Sequence, residues 1–426
     1  MPAASLLVVH AAELVTLAGP SGPRAGALQG NVQVIDDGAV AVDAAGSIIM
    51  AGPTTTVLRQ VDRAPDALVL DARGRAVLPG FVDPHTHAIF AGDRVREFEA
   101  LLSGVDYLDL LTRGCGILHT MRLTSAADEE ELVDRAGAAL DRMLVAGTTT
   151  VEIKTGYGNT TADELKLLRV IARLAATRPQ AVVGTLLAAH AVPLEYRDDP
   201  DRYVDIVCRS TIPEAAAMGI ARFCDVFCEA GVFSLDHARR ILLTGRQYGL
   251  IPKIHAEQRH RTGGARLAAE VGALTADHLE HVEEEDLAAL RASGTIAVLL
   301  PGAAFMLREK RLPPARRMIE LGIPVALGTD FNPGSSPIWS VPVIIGLACV
   351  QLGLTPAEAL VAATINAAYA IGAGAQVGSM EPGKRADLVI LDVPSYRYIP
   401  YYFGATLVDT VIAGGKIVVR EGRIVR

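Results

Sequence analysis

The sequence predicts an α/β fold in which a (β/α)8 TIM barrel carries a small β-sandwich domain built from both ends of the chain. Two observations in the middle of the chain predict the barrel. Eight short apolar runs alternate with Ala- and Leu-rich helical segments, and no Gly-x-Gly-x-x-Gly turn follows the first run, as a doubly wound sheet would require. The 426 residues, half of them hydrophobic, are enough to bury a large core.

The eight predicted barrel strands are short apolar runs bounded by turn signals or polar residues. Each is separated from the next by a segment long enough for a crossover helix, so parallel strands are expected. The runs cover residues 81–83, 148–153, 181–187, 223–227, 251–254, 274–277, 294–300 and 323–327.

The two ends of the chain have a different pattern, in which short apolar runs are split by Gly, Asp and Pro turns. Neither end is large enough to form a comfortable sandwich alone. We therefore predict one composite β domain from residues 1–73 and 376–426, beside a barrel formed by residues 74–375.

The composition limits the classes of function. The net charge of −8 and the pI near 5.7 argue against general nucleic-acid binding, which needs a basic surface. No segment approaches the roughly 18 apolar residues of a membrane span, so no membrane partner is expected. The five cysteines lack C-x-x-C spacing and are typical of a reducing cytoplasm, where we expect the protein to act.

Polar residues follow seven of the eight predicted strands, where barrel enzymes place their chemistry. His85 and His87 come first, and if the strand continues through them, their spacing places both imidazoles on one face, as a metal site requires. A single histidine at a strand end is usually structural, but convergence of many at one rim is a specific signal. These residues are His85, His87, Glu152, Lys154, Tyr157, His190, Glu229, His255, Gln258, His278, Asp330 and Asn332.

Longer motifs resemble those of the amidohydrolase superfamily and, within it, the imidazolonepropionase family. The superfamily pattern is Gly-Phe-Val-Asp-Pro-His-Thr-His at residues 80–87 with Gly-Thr-Asp at 328–330. The more specific stretches are Lys-Thr-Gly-Tyr-Gly at 154–158 and Phe-Asn-Pro-Gly-Ser at 331–335. The similarity spans essentially the whole chain.

The resemblance implies hydrolytic ring opening of 4-imidazolone-5-propanoate to N-formimidoyl-L-glutamate in histidine degradation. It implies one Zn or Fe ion per chain, held by His85, His87, His255 and Asp330. Such a metal lowers the pKa of bound water to about 7. Asp330 would move the proton, and His278 would polarise the carbonyl. We expect a homodimer acting on a small anionic heterocycle.

Substrate contacts are also carried over from the resemblance. Arg94 offers a guanidinium fork for the propionate, although a salt bridge to Asp93 or Glu97 is the alternative. Relatives can carry Glu where this chain has Gln258, which cannot titrate. The expected contact residues are Arg94, Tyr107, Tyr157, His190, Gln258, Asn332, Gly334 and Ser335.

Three alternatives stay open on the sequence. A bridging carbamylated lysine would make a two-metal site, but in the two-metal relatives that lysine belongs to strand four, whereas Lys154 follows strand two, so we expect a structural role for it. A related enzyme would keep the metal ligands and act on another heterocycle, and an inactive scaffold would have lost ligands.

The loop at residues 156–161 lacks a following Gly-Lys-Ser/Thr, so it is not predicted to bind phosphate. Thr161 and Glu164 have the spacing of a capping box, which predicts that a helix begins here.

Overall fold

The computed structural model describes residues 3–104 and 115–425, which form an eight-stranded parallel barrel beside a nine-stranded mixed sheet. The strands are β1 (Ala4–Val15), β2 (Val34–Val42), β3 (Ile48–Pro53), β4 (Arg63–Asp71), β5 (Val77–Pro79), β6 (Phe81–Asp83), β7 (Thr148–Lys154), β8 (Ala181–Ala189), β9 (Ala221–Cys228), β10 (Ile251–Ala256), β11 (Thr275–His278), β12 (Ile296–Leu299), β13 (Val325–Leu327), β14 (Leu388–Leu391), β15 (Val408–Ala413), β16 (Lys416–Arg420) and β17 (Arg423–Ile424).

Helices follow most barrel strands, as the alternation of apolar runs and Ala- and Leu-rich segments predicted. The α-helices are Thr54–Gln60, Val95–Leu102, Ile117–Ala126, Glu129–Val145, Thr161–Thr177, Pro200–Ile206, Ile212–Met218, Leu235–Gln247, Gly264–Val271, Glu284–Ser293, Pro301–Met306, Ala315–Glu320, Val341–Leu352, Pro356–Ala362, Ile365–Ala370 and Tyr398–Tyr401. Among the described residues, none of these helices is long and apolar enough to cross a membrane.

The barrel strands β6 to β13 lie side by side in chain order, and each pairs in parallel with its neighbour. Just beyond β6 and β13, two backbone hydrogen bonds join the ends of the sheet. The Asp330 amide donates to the His85 carbonyl at 3.0 Å, and the His87 amide donates to the Phe331 carbonyl at 2.9 Å. The predicted barrel is therefore confirmed, and the seam that joins its first and last strands carries candidate metal ligands from both sides.

The strands from the two chain ends form one continuous mixed sheet, in the order β17-β16-β15-β14-β5-β1-β2-β3, with β4 also on β1. Its apolar side chains from both ends share one cluster, which includes Leu6 and Val40 from the start of the chain and Leu388 and Ile412 from the end. The β structure expected from both ends is thus confirmed. The division at residues 73 and 376 stays a prediction, and β5, just inside the predicted barrel range, pairs with β1 and β14.

Candidate metal centre and active site

Four side-chain ligand atoms converge at the seam of the barrel. Asp330 Oδ1 lies 3.5 Å from His85 Nε2 and 3.3 Å from His87 Nε2. His255 Nε2 lies 3.5 Å from His87 Nε2. Ligand atoms bound tetrahedrally at the usual zinc distances are about 3.3 Å apart, so each of these three pairs has the spacing of two ligands on one metal ion. The side chains that could hold an ion form two groups that share His85, one with His87 and Asp330 and the other with His255 and His278. All four side chains are buried.

The remote nitrogens of two of these histidines are held by carboxylates. His85 Nδ1 lies 2.6 Å from Asp277 Oδ2, and His255 Nδ1 lies 3.2 Å from Asp225 Oδ1. His85 Nε2 is buried without a hydrogen-bond partner. A histidine that donates from Nδ1 to a carboxylate directs the lone pair of Nε2 toward the centre, as metal-binding histidines commonly do. The residues present therefore fit a metal ion.

The local backbone differs from the strand that the histidine spacing suggested. The strand β6 ends at Asp83, and the histidine pair follows it in a segment held by the bridge between Thr86 and Phe331. The Thr86 hydroxyl donates to the Glu152 carbonyl at 2.7 Å, so this side chain points away from the two imidazoles. Successive side chains of this segment therefore still point to opposite sides, and both imidazoles face the barrel centre.

Two candidate catalytic residues have left-handed backbones. Asp330 has φ 52° and His278 has φ 80°, a region that residues other than glycine rarely occupy. Such conformations cluster at functional sites, where the surrounding structure enforces them. A ring nitrogen of His278 also lies close enough to those of His85 and His255 to share a metal ion with them. His278 therefore faces the same cluster as Asp330 does.

Burial acts to lower the pKa of His85, but the nearby carboxylates of Asp277 and Asp330 outweigh it and raise that pKa. Burial prevails at His87, His190 and His255 and keeps these three imidazoles neutral. It lowers the pKa of His255 to about 3 and holds the pKa of His190 well below its usual value. For Asp330, burial acts upward, but the adjacent His85 and His87 hold its pKa well below the usual range. Neutral imidazoles and an ionised carboxylate are the forms that bind a metal.

A network of ion pairs fills the barrel directly beneath the cluster. Lys154 Nζ lies 2.8 Å from Glu152 Oε1 and 2.8 Å from Asp225 Oδ2, and Lys253 Nζ lies 3.3 Å from Glu152 Oε1. Burial lowers the pKa of Lys154, but the charges of Asp225 and Glu152 outweigh it and raise that pKa. Lys154 is therefore an ammonium among carboxylates. A negatively charged carbamate would be repelled there, so the geometry favours the structural role that we expected.

A cavity of about 430 Å³ opens above the cluster. Of the predicted substrate contacts, Tyr107 lies outside the described residues. The other seven line the cavity, namely Arg94, Tyr157, His190, Gln258, Asn332, Gly334 and Ser335. The structure therefore brings these seven together with the candidate metal ligands, although their roles stay predictions.

Arg94 forms the salt bridge and also lines the cavity, and its binding of the propionate stays a prediction. Its Nε donates to Glu97 Oε2 at 2.7 Å, so the alternative salt bridge is present. Its guanidinium also lies against Gly334, because a Cβ added at that glycine would be 2.0 Å from Arg94 Nη1. The ion pair through Nε restrains the guanidinium in the cavity wall.

Comparisons with known proteins show the family of the chain. The amidohydrolase family model matches residues 76–418. The imidazolonepropionase of Symbiobacterium thermophilum is 52% identical over 422 residues, which cover 99% of each chain. The imidazolonepropionase of Geobacillus kaustophilus is 48% identical over 421 residues, 98% of this chain and 99% of its own. The chain belongs to the imidazolonepropionase family of amidohydrolases.

Solved structures support the fold of this imidazolonepropionase-family chain. An adenosine deaminase from Xanthomonas campestris is 19% identical, with a TM-score of 0.73 over 100% of this chain and 95% of its own. The family assignment makes the protein a hydrolase, as the motifs predicted. Amidohydrolases are generally metal-dependent, and the His/Asp clusters described above are able to bind a metal.

The side chain of Asn332 makes its hydrogen bonds within its own loop, which differs from what we expected of a residue that contacts the substrate directly. Its amide group donates to the Asp330 carbonyl at 2.6 Å and to Ser335 Oγ at 2.8 Å. Its Oδ1 accepts from the Gly334 amide at 2.8 Å. The side chain is therefore engaged in folding the loop that carries the other predicted contacts.

The predicted capping box is wrong. The helix Thr161–Thr177 is capped by Thr160, whose hydroxyl accepts from the Asp163 amide. Glu164 is instead buried and accepts from the Gly156 and Gly158 amides at 3.1 and 2.7 Å. Burial raises the pKa of Glu164 to about 7. This carboxyl group thereby holds the loop that carries Tyr157 into the cavity.

The sequence did not single out several residues that line the cavity of this amidohydrolase. Five of them lie in helices or in β9 and three in turns, and most are apolar, so no polar residue at a strand end marked them. Gln258 lines the cavity as expected, whereas the neighbouring Glu257 accepts backbone hydrogen bonds from Thr262, Gly263 and Ala265 and so caps a helix. The additional lining residues are Phe98, Leu102, Ile117, Phe227, Arg259, Met306, Leu307 and Arg308.

Proposed function

We propose that this imidazolonepropionase-family chain opens the ring of 4-imidazolone-5-propanoate in the cavity above the histidine cluster, giving N-formimidoyl-L-glutamate. The observation that carries the proposal is the set of ligand atoms 3.3 to 3.5 Å apart at the floor of a cavity with a cation in its wall. Such a cavity presents a hydrolytic centre and an anion site to one small molecule.

We propose His85, His87, His255 and Asp330 as ligands of one Zn or Fe ion per chain. Both clusters that could hold a metal within the described residues contain His85, which supports one shared site. When bound, the ion supplies a water that ionises near neutral pH and neutralises negative charge on the carbonyl.

Asp330 is the proposed proton carrier. In the reaction, a water oxygen bonds to the ring carbonyl carbon, the adjacent C–N bond breaks, and the leaving nitrogen receives a proton. Asp330 Oδ1 faces the histidines, whereas Oδ2 lies 3.4 Å from Ser335 Oγ on the cavity side. That second oxygen takes the proton from water and passes it to the nitrogen.

His278 is the proposed partner of the carbonyl oxygen. Its ring centroid lies 5.5 Å from that of His255 and 5.8 Å from that of His85, so it borders the same reaction space. An imidazole N–H directed at the carbonyl stabilises the negative charge that develops as water adds. Its left-handed backbone fixes the ring in this direction.

Arg94 is the proposed site of the propionate. Its side chain is only 15% exposed, and the Glu97 pair fixes its orientation, so a carboxylate meets a preorganised donor edge. Burial raises the pKa of Tyr157, so its hydroxyl remains a donor at neutral pH. Neutral His190 stacks on His87 with centroids 4.6 Å apart and lines the same wall.

Gln258, Gly334 and Ser335 complete the proposed substrate contacts. Gln258 can offer its amide to the substrate or to water but cannot exchange a proton. Gly334 leaves the space that the Arg94 guanidinium occupies. Ser335 offers its hydroxyl beside Asp330. Asn332 orders this loop, and we propose that it acts by positioning its neighbours.

We further propose a homodimer that acts in the cytoplasm. An apolar surface formed by Val350, Tyr401 and Phe403 is 52% to 77% exposed, which supports association between chains. The five cysteines are free, which supports a reducing compartment. Light scattering of the purified protein measures the oligomeric state, and a monomer at micromolar concentration would contradict the dimer.

The experiment that tests the function compares wild type with Asp330→Asn by following loss of the imidazolone chromophore. Asparagine removes both the proton carrier and the charged ligand atom. General acid–base catalysis alone is worth about 10²–10⁴-fold, so turnover should fall at least that far. A variant as active as wild type would contradict the proposed role of Asp330, and inactive metal-loaded wild type would contradict the substrate.

A further inference from the structure

We propose that Lys154 is a positioning residue for the metal-binding histidines, because its buried ammonium bonds one of the two carboxylates that orient them and lies 3.9 Å from the other. The inference rests on the metal site proposed above. Lys154 contacts neither that site nor the cavity directly, and its side chain is fully buried among strands of the barrel. Its effect would therefore pass through its neighbours.

The first connection passes through Asp225. Lys154 Nζ lies 2.8 Å from Asp225 Oδ2, and the other oxygen of that carboxylate lies 3.2 Å from His255 Nδ1. A carboxylate held at one oxygen by an ammonium cannot turn freely about its side-chain bonds. The position of Oδ1, and with it the tautomer and ring plane of His255, is thereby fixed.

The second connection passes through Asp277. Its Oδ2 lies 3.9 Å from Lys154 Nζ and 2.6 Å from His85 Nδ1. The same ammonium therefore attracts the oxygen that orients the first histidine of the chain. One cation thus links ligands from β10 and from the segment after β6, which lie 170 residues apart in sequence (255 less 85).

The backbone of Lys154 supplies a third connection. Its amide donates to the Thr86 carbonyl at 2.9 Å, and Thr86 separates the two histidines of the first motif. The neighbouring Glu152, which lies 2.8 Å from Lys154 Nζ, accepts from the Thr86 amide at 3.4 Å. These bonds hold the segment that carries His85 and His87 against β7, and the backbone bond is kept when the lysine side chain is replaced.

The charges beneath the site show why a cation is needed at this place. Glu152, Asp225 and Asp277 are three buried carboxylates, and Lys154 and Lys253 are the two ammoniums among them. Without Lys154, one ammonium would face three carboxylates. Their mutual repulsion in a poorly polarisable interior would move Asp225 and Asp277 away from their histidines.

The test uses two variants and a matched control. Lys154→Met removes the ammonium, and Glu152→Gln with Lys154→Met removes one charge of each sign, so the net buried charge is unchanged. The control Lys384→Met removes another buried lysine, which bonds Gly374 and Ser379 far from the site. Zn²⁺ affinity is measured by competition with a chromophoric chelator, and the visible spectrum is recorded for the Co²⁺-substituted proteins.

Loss of partners that orient metal-binding histidines typically costs about 10–100-fold in metal affinity. We expect a loss of that size in the charge-balanced double variant, and in Lys154→Met where it folds, together with altered Co²⁺ bands. Lys384→Met should match wild type in both. Wild-type Zn²⁺ affinity and Co²⁺ bands in the double variant would overturn the role of Lys154. Wild-type protein that binds no metal would instead contradict the metal site itself.

Discussion

Replacing Gly334 by alanine changes the cavity by one methyl group and displaces the proposed propionate site. A Cβ at this position would lie 2.0 Å from Arg94 Nη1 and 2.9 Å from Arg94 Cζ. Gly334 does not have a left-handed backbone, so alanine fits the main chain without strain. Ordinary contact begins at 3.4 Å, so the guanidinium must move by about 1.4 Å (3.4 less 2.0).

A displacement of that size breaks a hydrogen bond of ordinary length. A hydrogen bond to a charged group contributes about 1.5–3 kcal/mol, and about 1.4 kcal/mol corresponds to a factor of ten. We therefore expect kcat/KM for 4-imidazolone-5-propanoate to fall by about 10- to 100-fold. The free energy of unfolding should change little, because the flexible end of the Arg94 side chain is what moves.

The assay compares steady-state kinetics on the full substrate and on an analogue without the propionate. Gly334→Ala should lose activity on the full substrate and retain activity on the analogue, whereas Gly52→Ala, where the added methyl meets its nearest atom at 3.6 Å, should match wild type on both. Unchanged kcat/KM on the full substrate, or equal losses on the two substrates, would refute the assignment of Arg94 to the propionate.

Two further predictions concern carboxyl groups. Gln258→Glu should leave a working enzyme with kcat within about tenfold of wild type, because Asp330 carries the proton, and a loss as large as that of Asp330→Asn would contradict this. Glu164 has its pKa raised from 4.5 to about 7 by burial, so the stability it contributes is complete below pH 4.5 and is lost as pH rises through 7. From pH 5 to 8, urea unfolding should show wild type losing about 2.5 kcal/mol relative to Glu164→Gln, and parallel curves would contradict the shift.

The barrel could be predicted from sequence because its strands are short apolar runs at regular intervals. The rim could be predicted because parallel strands bring their carboxyl ends together, so His85, His255 and Asp330 converge although they are far apart along the chain. These properties depend on periodicity and order, which a single sequence displays.

The connections beneath the rim could not be predicted in this way. The sequence places Lys154, Asp225 and Asp277 in or directly after predicted strands, but it does not show which of them meet, because strand tilt and register decide that. We predicted Thr161 as the N-cap of the helix Thr161–Thr177, one residue too late, for a related reason. Thr160 and Thr161 are both acceptable caps, and burial of Glu164 against the glycine loop decides between them.

The most direct test of the account is the anomalous-scattering map of crystals grown from active enzyme, combined with the metal content of the same preparation. We expect one ion per chain at about 2.0–2.3 Å from the Nε2 atoms of His85, His87 and His255 and from a carboxylate oxygen of Asp330. Two ions bridged by a carbamylated Lys154, or full turnover in protein with no ion at these four residues, would contradict it.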